Sequence, residues 1–155
     1  MSIINMCMIV SQNGLIKIQQ FEGFVDRAYP DANGFSIGFG TNLNTPELLA
    51  KYKQPDVTIT RDEAALLMIG KIGQIEDAFT KVITVPLTQN QYDALASFTY
   101  NMGIGAFEGS TMLKLLNQKN YQAAADEFPK WSFLQGKQSP GLLSRRNQER
   151  TIFLT

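Results

Sequence analysis

The sequence predicts an α+β fold: a small β-bearing N-terminal lobe, a long connecting helix and a helical C-terminal lobe. Three observations predict it. A short helical pattern ends at Gly23 and gives way, over residues 28–43, to an alternating stretch broken by the turn Asp31-Ala32-Asn33-Gly34. A long segment of helical period follows the capping-box sequence Thr60-Arg61-Asp62-Glu63. From Thr88 onward, helix starts and stops recur without a further strand signal. At 155 residues, 44% apolar and 18% charged, the chain is long enough for one compact core and short for two ordinary domains. Residues 1–155 are therefore expected to form a single domain, with residues 1–10 as an N-terminal extension.

That extension is apolar but interrupted by Asn5, lacks a basic start, and is too short to span a bilayer. It reads as an irregular or packed segment, with Met6 and Met8 as alternative starts and the patterned chain beginning at about Ser11. From Ser11 to Glu22, Leu15, Ile18 and Phe21 share one helical face, and Gly23 suits the helix end. Glu22 therefore occupies the last turn, where the carbonyl end of the helix disfavours a carboxylate anion. This is the bias a proton donor needs, although a lone Glu there is more often a solvated helix-end charge. Phe35 to Thr41 alternates apolar with small or polar residues, as in a ribbon of two or three antiparallel strands. Gly38 and Gly40 fall on one face of it, where glycine permits either tight packing or close approach of a ligand.

On the long helix, Leu66, Ile69, Ile72, Ile75 and Phe79 form the expected apolar stripe, ending near Ile83 before Pro86. Thr88-Gln89-Asn90-Gln91 is a second capping box. It opens a helix bearing Tyr92, Leu95, Ala96, Phe98 and Thr99, which Gly103 stops. Shorter helices are expected near Thr111–Gln118 and Tyr121–Phe128. Ser139-Pro140, an N-cap with Pro at the first helical position, starts a last helix with Leu143, Ile152 and Phe153 on its apolar side.

The absence of His removes the commonest general base and the commonest zinc ligand, so His-dependent nucleophilic mechanisms are excluded. A single Cys7 excludes an internal disulfide. Net charge is zero, but residues 130–155 hold five Lys/Arg against Glu149 alone, +4, which leaves −4 on the first 129 residues. The basic end fits an anionic polymer, but four charges so spread more often form a solvated face. There is no basic run and no nucleic-acid motif. Acid–base chemistry is left to carboxylates, Lys or Tyr, which directs attention to Glu22 and Asp31. Two carboxylates delivered from elements of different rigidity suit glycosidic bond cleavage: one stays protonated to protonate the leaving oxygen, the other stays ionised to activate water or stabilise the sugar cation.

The stretch Phe21 to Gly40 resembles the catalytic segment of the phage-type lysozymes (endolysins, glycoside hydrolase family 24, the T-even phage lysozyme family). Ser97 to Gly103, then Gly105-Ala106-Phe107 and Ser110 to Leu113, resemble that family's cleft-wall helix and the helix start after it. Trp131, Pro140 to Arg150 and Phe153 resemble its C-terminal Trp and GLxxRR helix. The resemblance runs from about Val10 to Leu154 and implies a lysozyme-like fold. It also implies hydrolysis of the β-1,4 bond between N-acetylmuramic acid and N-acetylglucosamine in peptidoglycan, leaning towards inversion.

By this resemblance Glu22 matches the general acid and Asp31 the carboxylate across the bond. Ser36 stands where the family holds its water with a Thr, but five residues after Asp31 rather than six. Thr41 stands where the family often has His. Tyr100, Asn101, Ser110 and Thr111 match residues that contact sugar hydroxyls and acetamido groups; from the residues alone Tyr100 reads as core and Thr111 as a helix cap. Arg145, in preference to Arg146, matches an Arg that pairs with the catalytic Glu, while surface solubility is the plainer reading of both. Trp131 reads as core or as a stacking platform, and Asp26 as an exposed charge. The resemblance implies no metal or organic cofactor and a monomer that binds bacterial peptidoglycan, not nucleic acid, without stable membrane insertion. It implies synthesis in the host cytoplasm and access to the periplasmic wall once a holin opens the membrane. Two rivals remain open: a lytic transglycosylase, needing Glu22 but not Asp31, and a peptidoglycan-binding module descended from such an enzyme.

Overall fold

The computed structural model describes residues 4–155. It is α+β and resolves into two compact units, one formed by Ile18–Gly73 and the other by the residues up to Lys17 together with Gln74–Thr155. Helix α1 (Gln12–Glu22) and helix α3 (Arg61–Val82) each contribute residues to both.

In the first unit, α1 ends as expected at Gly23 (φ +68°), whose N–H donates to the Gln19 carbonyl at 3.0 Å. Three consecutive antiparallel strands follow, β1 (Val25–Asp31), β2 (Gly34–Gly38) and β3 (Thr41–Asn42), in the order β1-β2-β3. Asp31 pairs with Gly34 across the turn at Ala32 and Asn33. The Asp31 side chain holds that turn by accepting the Asn33 N–H at 2.9 Å. The register continues as Pro30↔Phe35 and Tyr29↔Ser36, and β3 adds Ser36↔Asn42 and Ile37↔Thr41. A Cβ on Gly38 would lie 2.9 Å from the Ala64 Cβ, so packing explains that glycine. Helix α2 (Pro46–Tyr52), not foreseen from the sequence, is capped by Thr45, which accepts the Leu48 N–H at 3.2 Å, with Pro46 at its start.

The capping box of α3 is formed: Thr60 N–H donates to Glu63 Oε2 at 2.7 Å and Glu63 N–H to Thr60 Oγ1 at 3.2 Å. Its stripe differs from the expected one. Leu66 and Ile69 are 69% and 50% exposed, and the buried row is Ala64, Met68, Ile72, Ile75 and Phe79. Successive steps of three residues fall about 60° short of a full turn each and walk off the face, whereas steps of four and three stay on it.

The second unit is organised around aromatic rings. Phe98, on α4 (Gln89–Met102), meets Phe128 and Trp131 edge-on at 5.7 and 5.4 Å, and Phe107 at 6.4 Å. Phe79 packs on Tyr92 and Phe107, and Phe128 on Phe153. Such pairs stabilise by about 0.5–1.5 kcal/mol each beyond their buried area. Thr88 and Gln91 make the expected reciprocal cap, and Gly103 (φ +96°) stops α4. A short α5 (Ile104–Glu108) follows, then α6 (Thr111–Asn117) and α7 (Tyr121–Glu127). Strands β4 (Phe133–Leu134) and β5 (Lys137–Gln138) form a second hairpin, turned by Gln135 and Gly136 at positive φ.

Helix α8 (Pro140–Leu154) starts at Ser139-Pro140 as read, but its buried face is Arg145, Arg146, Glu149 and Phe153, while Leu143 and Ile152 are half-buried. In the N-terminal extension, Asn5 and Val10 are buried, and the Asn5 amide donates to the Val85 carbonyl at 2.8 Å. The first three residues of that extension lie outside the described ones.

Candidate active site

Glu22, the last residue of α1, is half-buried. Gly40, in the turn after β2, has φ +73°, and a Cβ built there would sit 2.9 Å from Glu22 Oε2. Gly40 is thus the position where bare backbone makes room for the Glu22 carboxylate, a packing role within the chain like that of Gly38.

Asp31 ends β1 and is exposed. Its Oδ1 accepts the Asn33 N–H and its Oδ2 accepts the Ser36 hydroxyl. The shortened interval between Asp31 and Ser36 does not separate them. Asp31 is opposite Gly34, and Ser36 lies two residues on, so both side chains share one face of the ribbon. Tyr29 and Asn42, each opposite Ser36, share that face too. The Ser36 Oγ also lies within donating distance, 3.0 Å, of Asn42 Oδ1, and Ser36 itself is 1% exposed. Burial first, then the charges of Glu22 and Asp31, push the Tyr29 hydroxyl above its ordinary value, with a Ser36 hydrogen bond acting the other way. Both carboxylates therefore act on one phenol. Sequence reasoning missed Tyr29 and Asn42, whose signal lies in the strand register opposite Ser36.

The remaining expected residues belong to the second unit. Arg145 and Arg146 are not surface solubility groups: they are 7% and 0% exposed. Arg145 Nε donates to Glu149 Oε1 at 3.0 Å, and its Nη2 to the Ser97 carbonyl at 3.0 Å. Arg146 reaches both Glu149 oxygens, at 2.8 and 3.0 Å, as well as Asn101 Oδ1 at 2.9 Å, and lies over the Phe98 ring. Ser97 Oγ donates to Glu149 at 2.7 Å. Burial pushes the Glu149 carboxyl up, while Arg146, Arg145 and Ser97 pull it back.

Tyr100 is buried and Asn101 half-buried. Ser110, rather than Thr111, caps α6: its Oγ accepts the Leu113 N–H at 3.1 Å and donates to the Phe107 carbonyl at 2.6 Å. Thr111 is the first helical residue and exposed. Trp131 is half-buried against Phe98, and Asp26 is exposed. A groove of about 890 Å³ in this unit is lined by residues including Lys17, Asp93, Leu143 and Ile152 but by none of the expected catalytic residues. Its carboxylate, Asp93, is occupied by Ser11 and Gln89, so the groove supplies no acid–base pair.

The sequence profile of the family described as phage lysozyme matches residues 19–149. The chain belongs to the phage lysozyme family. It is 42% identical over 149 residues to the endolysin of Salmonella phage P22, covering 96% of this chain and 99% of that one. The fold agrees. A crystal structure of a P22 lysozyme point mutant matches with a TM-score of 0.81 at 40% identity, covering 96% and 99% of the two chains. The muramidase domain of SpmX from Asticaccaulis excentricus matches at 0.82 with 30% identity, covering 94% and 97%. The α+β architecture is therefore that of the lysozymes.

Proposed function

We propose that Glu22, Asp31 and Ser36 are the catalytic group of this enzyme, an endolysin-type muramidase that lyses bacterial peptidoglycan. The observation that carries the assignment is geometric: Asp31 is joined to Ser36 on one face of the β-ribbon, and the Glu22 carboxyl lies against Gly40 in the turn that follows β2. Glu22 gives its proton to the glycosidic oxygen as the bond to the anomeric carbon breaks. Asp31, with Ser36 holding it in place, takes the proton of the water that adds to that carbon or steadies the sugar cation. Gly40 leaves the Glu22 carboxyl its space. Tyr100, Asn101, Ser110 and Thr111 are proposed to contact the glycan, and Arg145 to pair with Glu22. The enzyme acts as a monomer on the periplasmic wall, reaching it from the host cytoplasm after a holin opens the membrane. Among the described residues, no helix is long and apolar enough to cross a membrane.

Lysis of chloroform-permeabilised Gram-negative cells and of purified sacculi, by wild type and Glu22→Gln, tests this reading. Glu22→Gln should lower the rate by about 10²–10⁴, the usual range for loss of a general acid. Full activity in Glu22→Gln overturns the assignment. Anhydro-muramic ends in the digest would make the enzyme a transglycosylase, and binding of sacculi without soluble products would make it a binding module.

A further inference from the structure

Ser36 has one hydroxyl proton and more than one neighbour competing for it. Its Oγ touches Asp31 Oδ2, lies 3.0 Å from Asn42 Oδ1 as that amide is placed, and shares a hydrogen bond with Tyr29. An ionised carboxylate can only accept, and a hydroxyl aimed at it makes the stronger, charge-assisted bond. The proton is therefore committed to Asp31. Asn42 then has one productive way to meet Ser36, with its N–H turned to an Oγ lone pair; an amide oxygen there would face another oxygen with no proton between them. Exchanging the oxygen and nitrogen of an Asn amide changes hydrogen-bond roles without altering the shape of the side chain.

Two further observations favour a role for Asn42 beyond filling a strand. It occupies a strand of only two residues, although Asn is a poor strand former. Ser36 also has no β-branch to restrict its rotamer, so something else must fix the hydroxyl that grips Asp31.

We infer that Asn42 is a positioning residue: its side-chain N–H donates to Ser36 Oγ, locks the hydroxyl onto Asp31 and so holds that carboxylate towards the attacking water. The relay runs N–H to O–H to carboxylate, each bond polarising the next. It rests on the reading of Asp31 and Ser36 given above.

Turnover and apparent KM on purified sacculi, with a thermal melt beside each, test it for the full-length enzyme and its Asn42→Ala, Asn42→Asp, Ser36→Ala and Ser36→Ala/Asn42→Ala variants. Asn42→Ala should lower kcat by about 3- to 10-fold, the worth of one hydrogen bond, with apparent KM and melting temperature nearly unchanged. Asn42→Asp keeps the shape but can only accept, so it should fall at least as far. In the Ser36→Ala background, removing Asn42 should cost nothing more. Wild-type kcat in Asn42→Ala, wild-type kcat in Asn42→Asp, or losses that simply multiply in the double variant each overturn the relay. Asp31→Asn in the same assay separates the two failures: if it lyses normally, the catalytic assignment falls, whereas if it is inactive and Asn42→Ala is neutral, only the relay falls.

Discussion

Asp31 and Glu149 are both carboxylates that accept a serine hydroxyl, and they are built for opposite purposes. Asp31 sits exposed at a hairpin end, held by Ser36 and the Asn33 N–H, both close in sequence and both neutral. Glu149 is fully buried between two guanidiniums, with Ser97 added from 52 residues away. Neutral partners orient a carboxylate while leaving its charge available to a substrate. Two cations spend that charge inside the protein, where it ties α4 to α8. The comparison separates the carboxylate proposed to react from one that supports the fold.

Paired substitutions should separate the two roles most sharply. Asp31→Asn should lower turnover on sacculi by about 100-fold or more while leaving the melting temperature within about 2 °C, because little burial is lost. Glu149→Gln removes a buried counter-charge shared by Arg145 and Arg146 and should destabilise by roughly 3–5 kcal/mol. That corresponds to a melting temperature lower by about 6–20 °C for a chain of this size. An early melt in Asp31→Asn, or a wild-type melt in Glu149→Gln, breaks the division of roles.

Gly40→Ala probes Glu22, the other carboxyl of the proposed catalytic group. A methyl there must enter a positive-φ position and displace Glu22 Oε2, so a loss of about 1–2 kcal/mol in stability is expected. Turnover should fall about 10-fold, since a proton donor moved by less than 1 Å is already poorly placed. A melt combined with single-turnover kinetics would show whether both changes occur. The smallest effect is expected at Tyr92, whose buried hydroxyl has no partner among the described residues. Tyr92→Phe should change stability by less than about 1 kcal/mol at neutral pH. Burial, then Glu76, Asp93 and Asp77, push the Tyr92 hydroxyl far above its ordinary value of 10. The folded state thus retains a proton that the unfolded chain loses near pH 10, so stability should fall as pH rises above that point. Tyr92→Phe should flatten this alkaline decline, and chemical denaturation at pH 9 and pH 11 would detect it.

Local signals in the sequence predicted local structure well. The capping boxes at Thr60 and Thr88, the stops at Gly23 and Gly103, and the start at Ser139-Pro140 depend on neighbours within one turn, and each lies where it was read. Thr45-Pro46 carries the same start signal, and α2 follows from it although the sequence reading passed over it. The inward face of α8 was hidden because charged residues such as Arg145, Arg146 and Glu149 are seldom buried, and only tertiary pairing makes their burial tolerable. The same limit applied at the candidate site. Glu22, Asp31 and Ser36 stood out as residue types in a recognisable order. Tyr29 and Asn42 did not, because their relation to Ser36 exists only once the three strands are in register.

The ribbon that carries Asp31, Ser36 and Asn42 is made of three successive strands joined by tight turns. Closing such short loops costs little chain entropy, and ribbons of this kind form in microseconds. The face bearing Asp31 and Ser36 can therefore re-form quickly after a local opening, whereas the tie between residues 97 and 149 must wait for distant segments to meet. A protein partly unfolded in passing would thus restore this ribbon before it regained its full rigidity.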